Sequence, residues 1–111
     1  MSFQRACALD DIAADEGLAV TLGHYEVVVC RQGEDVYALQ DLCSHAAVPL
    51  SEGEVADCEI ECFLHGSRFD LRTGKPTGLP ATEPVATFPV DVRPDGVYVD
   101  TDTTSNGVTP S

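Results

Sequence analysis

The stretches "DLCSHAAVPL" (41–50) and "ECFLHGSRFD" (61–70) decide how this chain is read. Each places a Cys and a His on a segment with no helical or strand period. Together they give Cys43, His45, Cys62 and His65 in the order C-x-H, sixteen residues, C-x-x-H. Any one of these has a plain explanation, as a small half-buried thiol or a polar loop imidazole. Two Cys–His pairs on two loops are harder to dismiss. Zinc accepts two thiolates and two imidazoles in a closed tetrahedral site and would staple the loops together. A binuclear iron centre takes both Cys on one metal and both His on the other, so that each loop touches both irons. Zinc fingers usually pair Cys with Cys and His with His on each arm. The mixed order on both arms here suits the binuclear arrangement.

The chain around these loops is 111 residues long, enough for one domain with a modest core. Trp is absent, Gly and Pro are plentiful, and β-branched residues come in short runs, which points to an all-β domain with long loops. No apolar run reaches the roughly 18 residues of a membrane span. The start "MSFQRACALDDI" lacks a basic segment leading into an apolar one, so a cytoplasmic location is expected, where thiols stay reduced. Five Cys is an odd number for a disulfide framework and favours metal ligation for some of them. The formal charge of −13 excludes nucleic acid and anionic membranes as partners. It would steer the chain toward basic patches on proteins, or serve solubility alone.

Organisation follows from alternation and turn residues. "FQRACAL", "LAVTL", "YEVVVCR" and "VYALQ" read as strands, with "ALDDIAADEG" a turn or short helical turn. Gly23-His24 and "QGED" read as tight hairpin turns, and His24 as a solvated loop residue. From 41 to 83 the pattern gives way to Gly/Pro-rich loops with brief strands at "EIECF" and "SRFDL". Alternation returns in "VATFPVDVR" and "VYVD". The expectation is a single domain over 1–100, with an antiparallel β-sandwich framework (1–40 and 84–100) carrying an inserted metal-binding lobe (41–83). The polar 101–111 is expected to be a flexible tail. Cys7 and Cys30 fall on strands and read as small core residues; Cys58, four before Cys62, reads as structural.

"CSH…CFLHGSRFDLRTGKP" resembles the Rieske [2Fe–2S] family over nearly the whole chain. The run "HGSRFDLRTGKPTGLPATEPVATFPVDV" is similar in order and spacing to the small ferredoxins of multicomponent aromatic-ring-hydroxylating dioxygenases, such as those acting on biphenyl, carbazole and phenylpropionate. The resemblance implies a Rieske-like fold and one [2Fe–2S] cluster, with Cys43 and Cys62 on the inner iron and His45 and His65 on the outer. It also implies a loop "GLPATEP" over the cluster, with Pro80 the first choice of lid residue and Pro84 the second. Respiratory and photosynthetic members carry an extra Cys in each loop, joined as a disulfide, where this chain has Val48 and Leu64. They also carry a Tyr that hydrogen-bonds a ligand sulfur, where this chain has Phe69. Ser67 matches a hydroxyl that donates to a bridging sulfide in those members.

What the resemblance implies for function is electron transfer without catalysis. A mononuclear iron oxygenase site needs two further His and a carboxylate, and only His24 is left over. The missing Tyr hydroxyl argues for the low end of the Rieske potential range, about −150 to +300 mV, with Ser67 lifting it somewhat. Such a carrier would be a cytoplasmic monomer between a flavin-dependent ferredoxin reductase fed by NAD(P)H and a terminal oxygenase. The alternatives are a Rieske protein of iron–sulfur assembly, a nitrite reductase small subunit, and a zinc-stapled binding module.

Overall fold

The computed structural model describes residues 3–13, 15–23, 25–33, 35–43, 48–62, 66–78 and 82–108. Among these residues the regular structure is antiparallel sheet, with single 3₁₀ turns at Leu9–Asp11 and Leu50–Glu52. The strands are β1 (Phe3–Cys7), β2 (Gly17–Leu22), β3 (Tyr25–Gln32), β4 (Asp35–Gln40), β5 (Val55–Ala56), β6 (Glu59–Glu61), β7 (Arg68–Asp70), β8 (Thr87–Phe88), β9 (Val90–Arg93) and β10 (Gly96–Asp100). They form three sheets, β1-β10-β9, β2-β3-β4-β8 and β5-β6-β7.

The two expected hairpins are present. Leu22 pairs with Tyr25 across the first turn and Gln32 with Asp35 across the second. The turn residues His24 and Glu34 lie outside the described residues.

Strand β3 explains the layering. Its run Val27-Val28-Val29-Cys30 is fully buried, although strands with one wet face alternate with polar residues. Val27 and Val29 pack with Ala38, Val97 and Val99, toward β1-β10-β9. Val28 and Cys30 pack the other way, with Leu39, Ile60 and Phe69. The four-stranded sheet is therefore a middle layer with apolar contacts on both faces. Burying each such side chain contributes roughly 1.5–3 kcal/mol. Cys7 and Cys30 are buried on these strands, as their sequence pattern predicts.

Residues 101–108 of the expected flexible tail make specific contacts with the framework. Thr101 is buried, Ser105 donates its N–H to the Thr87 carbonyl at 2.8 Å, and Val108 packs against the framework core. Asn106 carries most of the attachment through its side-chain amide. Polar side chains bonded to the main chain, with Val108 packed on the core, hold this segment down. Residues 109–111 lie outside the described residues.

No helix of the described residues is long and apolar enough to cross a membrane.

Candidate metal centre

The first cysteine loop leaves the middle sheet at Gln40. That residue bonds Ala86 twice, its N–H donating to the Ala86 carbonyl at 2.9 Å and its Oε1 accepting the Ala86 N–H at 3.0 Å, while its Nε2 donates to the Leu42 carbonyl at 2.9 Å on the way out. The next residue, Asp41, is buried yet satisfied. Its two carboxylate oxygens accept the N–H and hydroxyl of Ser51 at 2.7 and 2.8 Å. Between these anchors, the Cys43 N–H donates to the Val48 carbonyl at 2.9 Å.

The second loop joins β6 to β7. Glu61 pairs with Arg68 at its base, and Arg68 sits between Glu59 and Glu61 at 3.4 and 3.5 Å. These solvent-screened pairs contribute little to stability. The Cys62 N–H donates to the Ser67 carbonyl at 2.6 Å, and the Gly66 N–H returns to the Cys62 carbonyl at 2.9 Å. Both loops thus share one construction: each opens on a Cys whose own N–H is bonded to the carbonyl five residues on. A contact between Gly53 and Glu61 sutures the two loops. A Cβ on Gly53 would lie 1.5 Å from the Glu61 carbonyl oxygen, so only Gly permits that approach.

Cys43 and Cys62 are brought into one apolar cluster, 2% and 0% exposed, with Leu50, Ile60, Phe69, Leu71 and Val85. None of the five cysteines forms a disulfide. Val48 is half-buried against the same cluster, and its contribution to the loop is the carbonyl that Cys43 bonds. Ser67 and Phe69 are fully buried at the exit of the second loop. His45, His65, Leu64 and Pro80 lie outside the described residues. Pro84 is half-buried and lines a groove with Arg72, Lys75 and Asn106.

Cys58 is a turn residue. With Asp57 it makes the two-residue β5–β6 hairpin, at φ 55° and 61°. Both values belong to a type I′ turn, which normally selects Asn-Gly. Two bonds hold the strained backbone: the Cys58 N–H donates to Gln32 Oε1 at 2.8 Å, and its carbonyl accepts the Leu71 N–H at 2.9 Å. Its thiol faces Tyr37, whose hydroxyl is pushed up to about 12 by burial first and then by Cys58. Burial, with a smaller contribution from Asp41, likewise pushes the Cys30 thiol up to about 12. Cys30 therefore stays protonated through neutral and mildly alkaline pH.

Sequence reasoning missed Gln40, Asp41, Gly53 and Asn106. A Gln-Asp pair at a strand end carries no motif, and a partner for Asn106 more than twenty residues away leaves no local signal.

Residues 2–89 match the family model for the Rieske [2Fe–2S] domain. The chain is 42% identical over 100 residues to the ferredoxin component of biphenyl 2,3-dioxygenase from Rhodococcus jostii (strain RHA1), covering 90% of this chain and 94% of that protein. It superposes on the ferredoxin of carbazole 1,9a-dioxygenase from Nocardioides aromaticivorans IC177 with a TM-score of 0.85 and 40% identity, over 89% of this chain and 97% of that one. A chain in a complex of reduced oxygenase and oxidized ferredoxin of carbazole 1,9a-dioxygenase matches at TM-score 0.82 and 36% identity, over 87% and 91%.

Proposed function

Because the chain belongs to the Rieske [2Fe–2S] family, we propose that Cys43 and Cys62 hold one iron of its single cluster while His45 and His65 hold the other. The chain passes single electrons, in the cytoplasm, from a flavin-dependent NAD(P)H-fed ferredoxin reductase to the terminal oxygenase of an aromatic-ring dioxygenase. The observation that carries this reading is the burial of Cys43 and Cys62 in one apolar cluster, each opening a loop closed by the same backbone bond. The zinc-stapled module gives way to the family match.

The chemistry of the donor set fits its apolar surroundings. Two ferric ions, two sulfides and two thiolates sum to zero charge, so an oxidised centre seats among apolar side chains at little desolvation cost. Leu50, Ile60, Phe69, Leu71 and Val85 form that wall and exclude water from the two sulfurs. When bound, the group supplies a site that accepts and releases one electron without making or breaking bonds. The protein keeps the thiolates in place through Gln40, Asp41 and the paired loop closures, so that little has to move when charge changes. Phe69 offers no hydroxyl to sulfur, which favours a low potential suited to accepting electrons from a flavin.

The test is a reconstituted assay combining this chain with the reductase and oxygenase of aromatic dioxygenase systems. Product formation that requires this chain supports the assignment. Failure with each oxygenase, together with turnover of a nitrite reductase, would move the carrier to the other system.

A further inference from the structure

The C-terminal segment ends in a clamp on the wall of the cysteine site. The Asn106 side chain donates through Nδ2 to the carbonyls of Thr73 and Val85 at 2.9 and 2.8 Å. Its Oδ1 accepts the N–H groups of Thr87 and Val108, each at 3.2 Å. Every hydrogen-bonding position of the amide is in use. The two carbonyls it joins lie on stretches that also bond each other directly, since the Val85 N–H donates to the Gly74 carbonyl at 2.9 Å. Gly74 is itself confined. It sits at φ +75°, and a Cβ there would lie 2.1 Å from the Val85 oxygen and 2.8 Å from Asn106 Nδ2.

Val85 links this clamp to the site. Its main chain is held by Gly74 and Asn106, while its buried side chain packs in the cluster that contains Cys43, Cys62 and Leu71. The turn before it is tied to the second cysteine loop, because Phe69 bridges Pro76 and the Thr77 N–H bonds the Arg68 carbonyl at 2.8 Å.

We infer that Asn106 is a positioning residue for the iron–sulfur site, acting through Val85 to keep the site's wall closed to water. This rests on the reading of Cys43 and Cys62 as ligands. Water admitted past Val85 would stabilise the negative charge that reduction adds, and so would raise the potential.

Two variants of the full-length iron-loaded protein test it. Asn106→Ala removes the amide. Asn106→Asp keeps an acceptor for Thr87 and Val108 but turns an oxygen onto two carbonyls. Ser105→Ala is the control, since it loses only the hydroxyl contact to Thr87 on the same segment. The readouts are amide exchange at Val85 against Val28 on the middle strand, and the midpoint potential. Loss of two such bonds should speed Val85 exchange about tenfold relative to Val28. The potential should rise in Asn106→Ala and stay unchanged in Ser105→Ala; in Asn106→Asp the added carboxylate itself lowers the potential, so that variant is read by exchange alone. Should Asn106→Ala fail to accumulate, Asn106→Asp decides on Val85 exchange relative to Val28. Equal acceleration at Val85 and Val28, or a wild-type potential in Asn106→Ala, would reduce Asn106 to a general stabiliser and overturn the inference. The exchange measurement does not depend on metal. A wild-type protein without iron would therefore overturn the ligand assignment, while Val85 exchange still decides whether the clamp exists.

Discussion

Asp41 grips Ser51 with both carboxylate oxygens, one on the backbone N–H and one on the hydroxyl. The pair spans the first cysteine loop from outside, so that the chain enters and leaves Cys43 through fixed points. Asp41→Ala should lower stability by about 1.5–3 kcal/mol, the usual cost of losing hydrogen bonds to a charged group. Ser51→Ala, which loses one of the two, should cost about half as much. Denaturant titration of the three proteins checks both values and their order.

Gly53→Ala should be more damaging than its single methyl suggests. The added carbon would meet the Glu61 carbonyl at 1.5 Å, and backbone cannot yield as a side-chain tip can. The expected cost reaches or exceeds the upper end of the roughly 1–3 kcal/mol range for overpacking. Because the contact joins the two cysteine loops, iron retention should fall together with stability. A Gly53→Ala protein with wild-type iron content would show that the two loops can shift apart without harm to the site.

These two residues mark where sequence reading ends. The framework was legible because its signals are local: alternation in "VYVD", a buried run in "VVVC", and turn residues between strands of matching length. The four candidate ligands stand out because their spacing is a motif, and the structure describes two of them, Cys43 and Cys62. The supports do not stand out. Asp41 and Gly53 act on partners set by the fold, and Asp57-Cys58 makes a hairpin turn without the Gly that would announce one. The polarity of "TDTTSNGV" suggests solvent, whereas Asn106 turns its amide onto the main-chain carbonyls of Thr73 and Val85.

Stability should fall at alkaline pH, with Cys30 as one identifiable cause. Its pKa rises from 9.0 to about 12 on folding. Above the lower value the unfolded chain loses a proton that the folded chain keeps, so the unfolded state binds fewer protons and stability declines with rising pH. The loss begins near the unfolded value and continues through the folded one. By about pH 10 this group alone removes on the order of 1 kcal/mol. Cys30→Ala should flatten the decline between about pH 8 and about pH 10, whatever its cost at neutral pH. Parallel declines in the two proteins would contradict the buried protonated thiol.

Charge should govern encounter with the oxygenase. At −13, the surface attracts basic partner patches over a range set by the Debye length, about 10 Å at 0.1 M and about 3 Å at 1 M. Electron transfer to the oxygenase should slow as salt rises, as measured by stopped-flow reoxidation of the reduced carrier. A rate indifferent to salt would leave the acidity with a role in solubility alone.

The ligand assignment is tested most directly by iron and acid-labile sulfide content across five single Cys→Ser variants prepared without oxygen. The wild-type protein should hold two irons and two sulfides per chain, as a [2Fe–2S] group requires. Cys43→Ser and Cys62→Ser should lose them. Cys7→Ser, Cys30→Ser and Cys58→Ser should keep the wild-type ratio in whatever fraction folds, since the first two are core thiols and the third is a hairpin residue. Loss of the group in folded Cys58→Ser, with retention in Cys43→Ser or Cys62→Ser, would contradict the account.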